Sequence, residues 1–253
     1  MNRRRWLAGA FSVIGAAALG ACGRIGASPV VQQALRMAEG LTRRTQRLLI
    51  PANALAPEYR PDDISPDFRA NGSTNPQAAD YLALKAGGFA DYSLVIDGLV
   101  ERPMSLSLAD LRARPARTHI TKHDCVEGWT SIGQWTGAPL DALLDEAGLK
   151  PEAKFIVFHC YDALENTEDG DRYYESIDLI DARHPQTILA YDMNGQTLSV
   201  PHGAPLRVRV ERQLGYKHAK YIRRIEAVAS FAHLGGGKGG YWEDRGYEWY
   251  AGI

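Results

Sequence analysis

The stretch "PLRVRVERQLG", residues 205–215, alternates Leu206, Val208 and Val210 with Arg207, Arg209 and Glu211. A period of two places alternate side chains on opposite faces of a strand, whereas a helix would scatter the same apolar residues around its circumference. The chain must therefore build a sheet, and this strand is expected to be half-buried, with "AKYIRRIEAVASF", residues 219–231, as its partner. Two further runs read as strands: "YSLVIDGLV", with an Asp-Gly turn signal, and "KFIVFHCYD", an apolar run bounded by charge. Between them "PLDALLDEAG" puts Leu140, Leu143, Leu144 and Ala147 at helical spacing, with Gly148 placed as a C-terminal cap. The expected fold class is α+β, with mixed β-sheets and surrounding helices.

The 253 residues, 45% of them hydrophobic, are enough for one substantial core. No repeat of 20 to 50 residues is visible. Twenty-nine basic residues face 30 acidic ones, a balance that gives no reason to expect a nucleic-acid partner.

The chain opens with "MNRRRWLAGAFSVIGAAALGAC". An arginine cluster followed by an apolar run of about 16 residues, short of the roughly 20 needed to cross a bilayer, reads as an export signal. Arg3-Arg4-Arg5-Trp6-Leu7 looks like a twin-arginine signal, the address of proteins exported already folded, so residues 1–22 are expected to be the signal and the location periplasmic. Leu19-Gly20-Ala21-Cys22 resembles the lipobox of bacterial lipoproteins, in which the cysteine is acylated and anchors the protein to the membrane; ordinary cleavage among small residues is the alternative. Residues 23–75 are proline-rich and polar, an expected arm or linker with one amphipathic helix around Val30 to Leu49, and residues 76–253 are expected to form the main domain.

Cys125 and Cys160 are the two cysteines beyond the signal. In an oxidising compartment the default is a disulfide, whereas a functional Cys125 must be free. Cys125 sits in "THITKHDCVEGWTSIGQWTG", just after Lys122 and His123, whose positive charge would favour the thiolate, the form that binds metals. The alternative is a small buried apolar residue. A zinc site from His123, Cys125, His159 and Cys160 lacks suitable spacing, since neighbours such as His159 and Cys160 point to opposite faces of a strand. The glycine run of "HLGGGKGGYWEDRGYEWYAGI" tempts toward a phosphate loop, but Gly239, not Ser or Thr, follows Lys238; the segment reads as a turn before aromatic residues that pack back on the body.

"DCVEGW", "TGAPLDALLDEAG", "FHCYD", "NGQTLSVPHGAPLRVRV" and "GYKHAKYIRRIE" occur in the order and spacing that resemble the molybdopterin-binding domain of the sulfite oxidase-like oxidoreductases. The likeness spans about residues 65 to 230 and is nearest to the bacterial periplasmic branch containing the catalytic subunit of protein-methionine-sulfoxide reductase. The resemblance implies a sulfite oxidase-type molybdopterin-binding domain carrying Mo-molybdopterin, with Cys125 as the thiolate ligand of molybdenum and the catalytic centre. Asn71, in "SPDFRANGSTNP" close to Phe68 and Arg69, looks like the asparagine that hydrogen-bonds the pterin; a turn residue before Gly72 is the alternative. Arg207 resembles the arginine that meets the cofactor phosphate, and His218, Ala219 and Lys220 resemble later phosphate and pterin contacts, against the plainer reading of Arg207, Arg209 and Lys220 as the solvated face of strands. Cys160 and His202 stand at cofactor-contact positions where the periplasmic branch has threonine and asparagine, departures that bear on the substrate rather than on cofactor binding. Arg69, Trp129, Tyr161 and Asp162 are candidates for the substrate mouth.

The implied activity is two-electron oxygen-atom transfer, in the direction of sulfoxide reduction, with methionine sulfoxide or a protein-bound sulfoxide as substrate. Oxidation of sulfite or a similar small anion is one alternative, and a non-catalytic cofactor-binding lipoprotein another. The sequence has no C-x-x-C-H haem motif, so a haem-containing membrane subunit or a soluble cytochrome is the expected electron partner.

Overall fold

The computed structural model describes residues 28–164 and 171–253. The expected signal and lipobox, residues 1–22, lie outside the described residues. Helix α1 (Pro29–Leu49) forms where the arm's periodicity predicts it, with Pro29 in the first turn, where its missing N–H breaks no bond. It belongs to a unit that ends at Ile50, and a second compact unit runs from Pro51 to Ile253. Residues 51–75 thus join the second unit rather than the expected arm. Their backbone finds partners there: the Tyr59 N–H donates to the Ile120 carbonyl at 2.8 Å and the Ser65 N–H to the Ile132 carbonyl at 3.0 Å.

Two five-stranded sheets carry the second unit. One contains β1 (Ser93–Gly98), β2 (Met104–Ser107), β5 (Phe155–Ala163), β6 (Arg172–Asp178) and β10 (Ile222–Val228) in the order β2-β1-β10-β5-β6, with β1 and β10 parallel. The other contains β3 (Arg117–Asp124), β4 (Thr130–Pro139), β7 (Ile188–Met193) and β8 (Gln196–Thr197), with β9 (Arg207–Arg209) paired to β7. Leu94, Ile96, Ile156, Val157, Phe158, Ile222 and Ile225 fill the main core. Burying each such side chain contributes roughly 1.5–3 kcal/mol. A smaller cluster joins Phe68 and Trp135 to Ile188, Ala190, Met193 and Leu198.

Short helices cover the sheets: α2 (Ala79–Ala86), α3 (Leu108–Ala113), α4 (Leu140–Ala147) and α5 (Leu179–Ala182). Helix α4 buries Leu140, Leu143, Leu144 and Ala147, and Gly148 ends it at φ 71°, as the spacing predicts. Helix α3 starts at a capping box, in which the Asp110 N–H donates to Ser107 Oγ and the Ser107 N–H donates to the Asp110 carboxylate.

Two expectations for residues 205–231 are corrected. β9 is buried on both faces, including Arg207 and Arg209, because it lies inside the unit with further structure beyond β7. β10 does not pair with β9 but lies between β1 and β5 in the other sheet. The alternation correctly marks strands, but partner choice depends on contacts far away in sequence.

The C-terminal segment behaves as its aromatic content suggests. Trp249 packs on Phe155 and Phe231, at 5.5 and 5.7 Å between ring centroids, and the Tyr241 N–H donates to the Tyr174 carbonyl at 2.9 Å.

Candidate active site

Strand β3 runs into Cys125, and a tight turn fixes it: the Cys125 N–H donates to the Trp129 carbonyl at 2.9 Å and the Gly128 N–H to the Cys125 carbonyl at 3.0 Å. The thiol faces a cleft of about 700 Å³, its open mouth included. Asn71, Asp162, Tyr173, Tyr216, His218 and Lys220 line the cleft with Cys125, and Val126, Glu127, Leu164, Trp242 and Tyr247 complete the wall. Asn71 Nδ2 points at Cys125 Sγ from 3.9 Å. Lys220 pins the Asn71 segment from below, donating to the carbonyls of Asn71 at 2.6 Å, Pro201 at 3.0 Å and Ser73. Tyr221 adds a bond to the Ser73 carbonyl at 2.9 Å.

Behind the cleft lies a buried bank of cations. Arg207 donates to the carbonyls of His202 at 3.0 Å and His218 at 3.4 Å, and it and Arg209 lie 4.8 and 4.4 Å from the Trp135 ring centroid. Arg209 has a carboxylate, Glu211 at 2.7 Å, which also meets His119 at 3.0 Å. Arg207 has no carboxylate among its hydrogen-bonding partners. Burial, then the Arg209 charge, drives Arg207 down to about 9. Burial and then Arg207 lower Lys220 to about 7, against the opposing pull of Asp162, and burial pushes Asp162 up to about 7. Burial, with the Arg209 charge next, pushes His123 and His218 well below the usual histidine range, so both rings are neutral at neutral pH.

The thiol's surroundings correct one expectation. Burial raises the Cys125 pKa, with opposing contributions from the Glu127 backbone and Asn71. Lys122 does not supply the expected charge, because it is committed to Asp124 at 2.8 Å, and His123 is neutral. A thiolate here needs positive charge from a bound partner.

Among the sequence-derived site residues, Asn71, Cys125, His218 and Lys220 share the cleft, and Arg207 adjoins it through the His218 carbonyl. His202 uses its ring on the Phe68 carbonyl at 2.9 Å and on Ser199 Oγ at 2.8 Å, and only its carbonyl meets Arg207. Ala219 is in the core, its carbonyl accepting from Val208. Cys160 is fully buried and bounds a different cavity, with Arg172, Tyr174 and Arg223; both thiols are free, so the disulfide alternative is set aside. Of the residues expected at the mouth, Asp162 lines the cleft, while Arg69 and Trp129 stack beside it, 5.5 Å apart, with Glu127 bonded to the Trp129 ring N–H at 2.9 Å. Tyr161 instead packs on Tyr81. Sequence reasoning missed Tyr173, Tyr216, Trp242 and Tyr247. For the last two the only signal was the aromatic density of the tail.

This donor set fits a molybdopterin. Arg207 Nε is buried without a hydrogen-bond partner, as an anion site requires, and the partnerless Asp162 Oδ1 supplies an acceptor for ring N–H groups. Neutral His218 places its ring N–H on the Gln213 carbonyl at 3.1 Å, which leaves its partnerless Nδ1 as a second acceptor. Among the described residues no three His, Cys, Asp or Glu side chains converge on a metal; the single soft donor at Cys125 suits a metal that a dithiolene also holds.

Comparison with known proteins gives the same direction. The profile described as oxidoreductase molybdopterin binding domain matches residues 83–233, more than half of the chain. A provisionally named protein-methionine-sulfoxide reductase subunit, YedZ1 of Azospira oryzae, is 35% identical over 88% of this chain and 77% of its own length. The protein-methionine-sulfoxide reductase catalytic subunits MsrP of Campylobacter jejuni and Gluconobacter oxydans are each 34% identical over 54% of this chain; the chain spans 48% and 47% of them, about half. Among solved structures, the sulfane dehydrogenase SoxCD of Paracoccus pantotrophus superposes with a TM-score of 0.52 at 25% identity, over 71% of this chain and 46% of that one.

Proposed function

Because the chain belongs to the oxidoreductase molybdopterin-binding domain family and is a molybdenum-dependent oxidoreductase, we propose that it is exported and reduces sulfoxides, methionine sulfoxide in peptides or proteins above all. The observation that carries this reading is the mouth of the cleft. Among the described residues of its wall, Val126, Leu164, Trp242 and Tyr247 contribute apolar surface and Glu127 a carboxylate. Arg69, beside the cleft, stands 4.0 Å from Glu127 and over the Trp129 ring. A neutral sulfoxide with apolar arms suits this wall. Sulfite, a small anion, would meet a carboxylate where it needs unpaired cations.

When bound, the cofactor supplies two-electron oxygen-atom transfer: sulfoxide, two electrons and two protons become thioether and water. The chain's own residues hold and seal. Cys125 would ligate the molybdenum, with Asn71 supporting the thiolate by donating to its sulfur; Arg207 would meet the phosphate through its unpartnered Nε; Asp162 and His218 Nδ1 would accept from the pterin; and Lys220 would hold the Asn71 segment in place. Tyr173, Tyr216 and Trp242 shield the inner cleft from water, which strengthens each of these contacts.

Electrons come from another protein, a haem-containing membrane subunit or a soluble cytochrome, since the sequence carries no haem-attachment motif. The arginine cluster and apolar run of residues 3–21 support twin-arginine export to the periplasm, and Cys22 is the proposed lipid anchor.

The test is an assay on exported protein of known molybdenum content with reduced viologen as donor. Oxidation of the viologen on adding a methionine-sulfoxide peptide is expected, and Cys125→Ser should abolish it. Loaded protein that leaves the sulfoxide untouched but oxidises sulfite with ferricyanide would overturn the proposal.

A further inference from the structure

Helix α1 contributes nothing to the cleft as described, yet its pattern is regular. Winding at about 100° per residue puts Val30, Met37, Leu41 and Leu48 within about 40° of one line along the helix. These four side chains are exposed, between 66% and 85% of their full area, so a large apolar stripe stands in water. Arg44 lies about 40° and Arg47 about 100° to one side of the stripe, while Arg43 and Glu39 lie on the far side of the helix. Such a face is too basic and too narrow to cross a bilayer, and among the described residues no helix is long and apolar enough to do so.

We propose that α1 lies flat on an anionic phospholipid surface, with the stripe of Val30, Met37, Leu41 and Leu48 sunk among the acyl chains and Arg44 and Arg47 at the headgroups. Three features select lipid over a protein groove. The basic flank complements phosphatidylglycerol-type headgroups, and arginine bears its charge there while its stem covers apolar surface. The 21-residue helix, about 31 Å long at 1.5 Å per residue, offers its stripe along the whole length, as a planar surface accepts and a pocket does not. The helix also begins seven residues after Cys22, so acylation there would deliver it to the bilayer; a single acyl chain holds only weakly and a second contact makes the attachment durable.

The test uses holoenzyme exported behind an exchanged signal, so that the mature chain starts at Gly23 with neither apolar run nor acyl group. It is sedimented with vesicles of phosphatidylglycerol and phosphatidylcholine, and with phosphatidylcholine alone. Binding to the anionic vesicles is expected. Leu41→Glu with Leu48→Glu should lower the partition by about tenfold or more, and Arg44→Gln with Arg47→Gln should lower it several-fold, with molybdenum content and turnover unchanged in both. Protein that stays in the supernatant with anionic vesicles, equal binding to neutral vesicles, or a glutamate variant that pellets like the parent would each overturn the proposal. The vesicles hold no protein, so attachment through a membrane subunit would show as failure of the first arm. The outcome is independent of which sulfur compound the enzyme uses.

Discussion

Arg207 presents the sharpest conflict in the site. A fully buried guanidinium with two carbonyls and no carboxylate is costly in the cofactor-free chain, and its pKa, driven down to about 9, records that cost. Arg207→Met should therefore leave the cofactor-free chain as stable or stabilise it by roughly 1 kcal/mol, because an apolar side chain of similar length replaces an unpaired buried charge. The same variant should copurify with far less molybdenum; thermal unfolding of the empty protein beside metal analysis reads both effects. Asp162 gives a pH dependence. Its folded value of about 7 stands above its ordinary 3.8, so the stability it lends is whole below that value and is lost as pH rises through about 7. Urea midpoints of the cofactor-free chain should fall across that window, and Asp162→Asn should remove this part of the fall. Cys125→Ser should lower turnover by more than about 100-fold, the loss typical even of residues that only support a metal ligand.

At the scale of elements, the loop between β9 and β10 carries Tyr216, His218 and Lys220 to the cleft, and its position depends on one close approach. A Cβ at Gly215 would stand 2.5 Å from His123 Nε2 and 3.3 Å from the Asp124 carbonyl, so any side chain there forces the loop away from the end of β3. Gly215→Ala should destabilise the protein by about 1–3 kcal/mol, the usual cost of overpacking, and separate His218 from Cys125. Lower molybdenum content together with a lower melting temperature would check this; a variant that loads normally would show that the loop does not set the site. Helix α4 is a contrasting case. Gly148→Ala strains a left-handed cap and should cost about 1 kcal/mol without touching the cleft, so stability falls while molybdenum content holds.

Across the whole molecule, the C-terminal segment is tied to the site by a buried ion cluster. Lys217 Nζ donates to Glu175 and to Glu243, each at 2.5 Å, and all three side chains are almost completely buried. Burial, then the Glu243 charge, pushes Glu175 well above the carboxylate range, while the two acids outweigh burial and keep Lys217 high. The cluster joins β6, the turn before His218 and the residue after Trp242, so two cleft-lining residues share one anchor. Lys217→Met should cost about 3–5 kcal/mol, the penalty for stranding buried charge. Adding Glu175→Gln and Glu243→Gln to that variant should recover much of the loss, since no buried charge then lacks a partner. Chemical unfolding of the single and triple variants would check this; a triple variant no better than the single would mean that the bonds, rather than the charges, hold the segment.

Local periodicity determined the strands and helix α4, because apolar spacing and a glycine cap act over a few residues. Motif order determined the family and pointed to Asn71, Cys125, His218 and Lys220, which the fold brings to one cleft. Pairing of β10 with β1 and β5, burial of Arg207 and Arg209, and the neutrality of His123 were decided only in three dimensions. Each depends on what packs from more than fifty residues away in the chain or on how much water is excluded. The same limit separates Cys160 from the cleft and brings Trp242 and Tyr247 to it. Sequence states which groups the chain owns; the packed structure alone states which of them share a low-dielectric space, and there the electrostatics of the site arise.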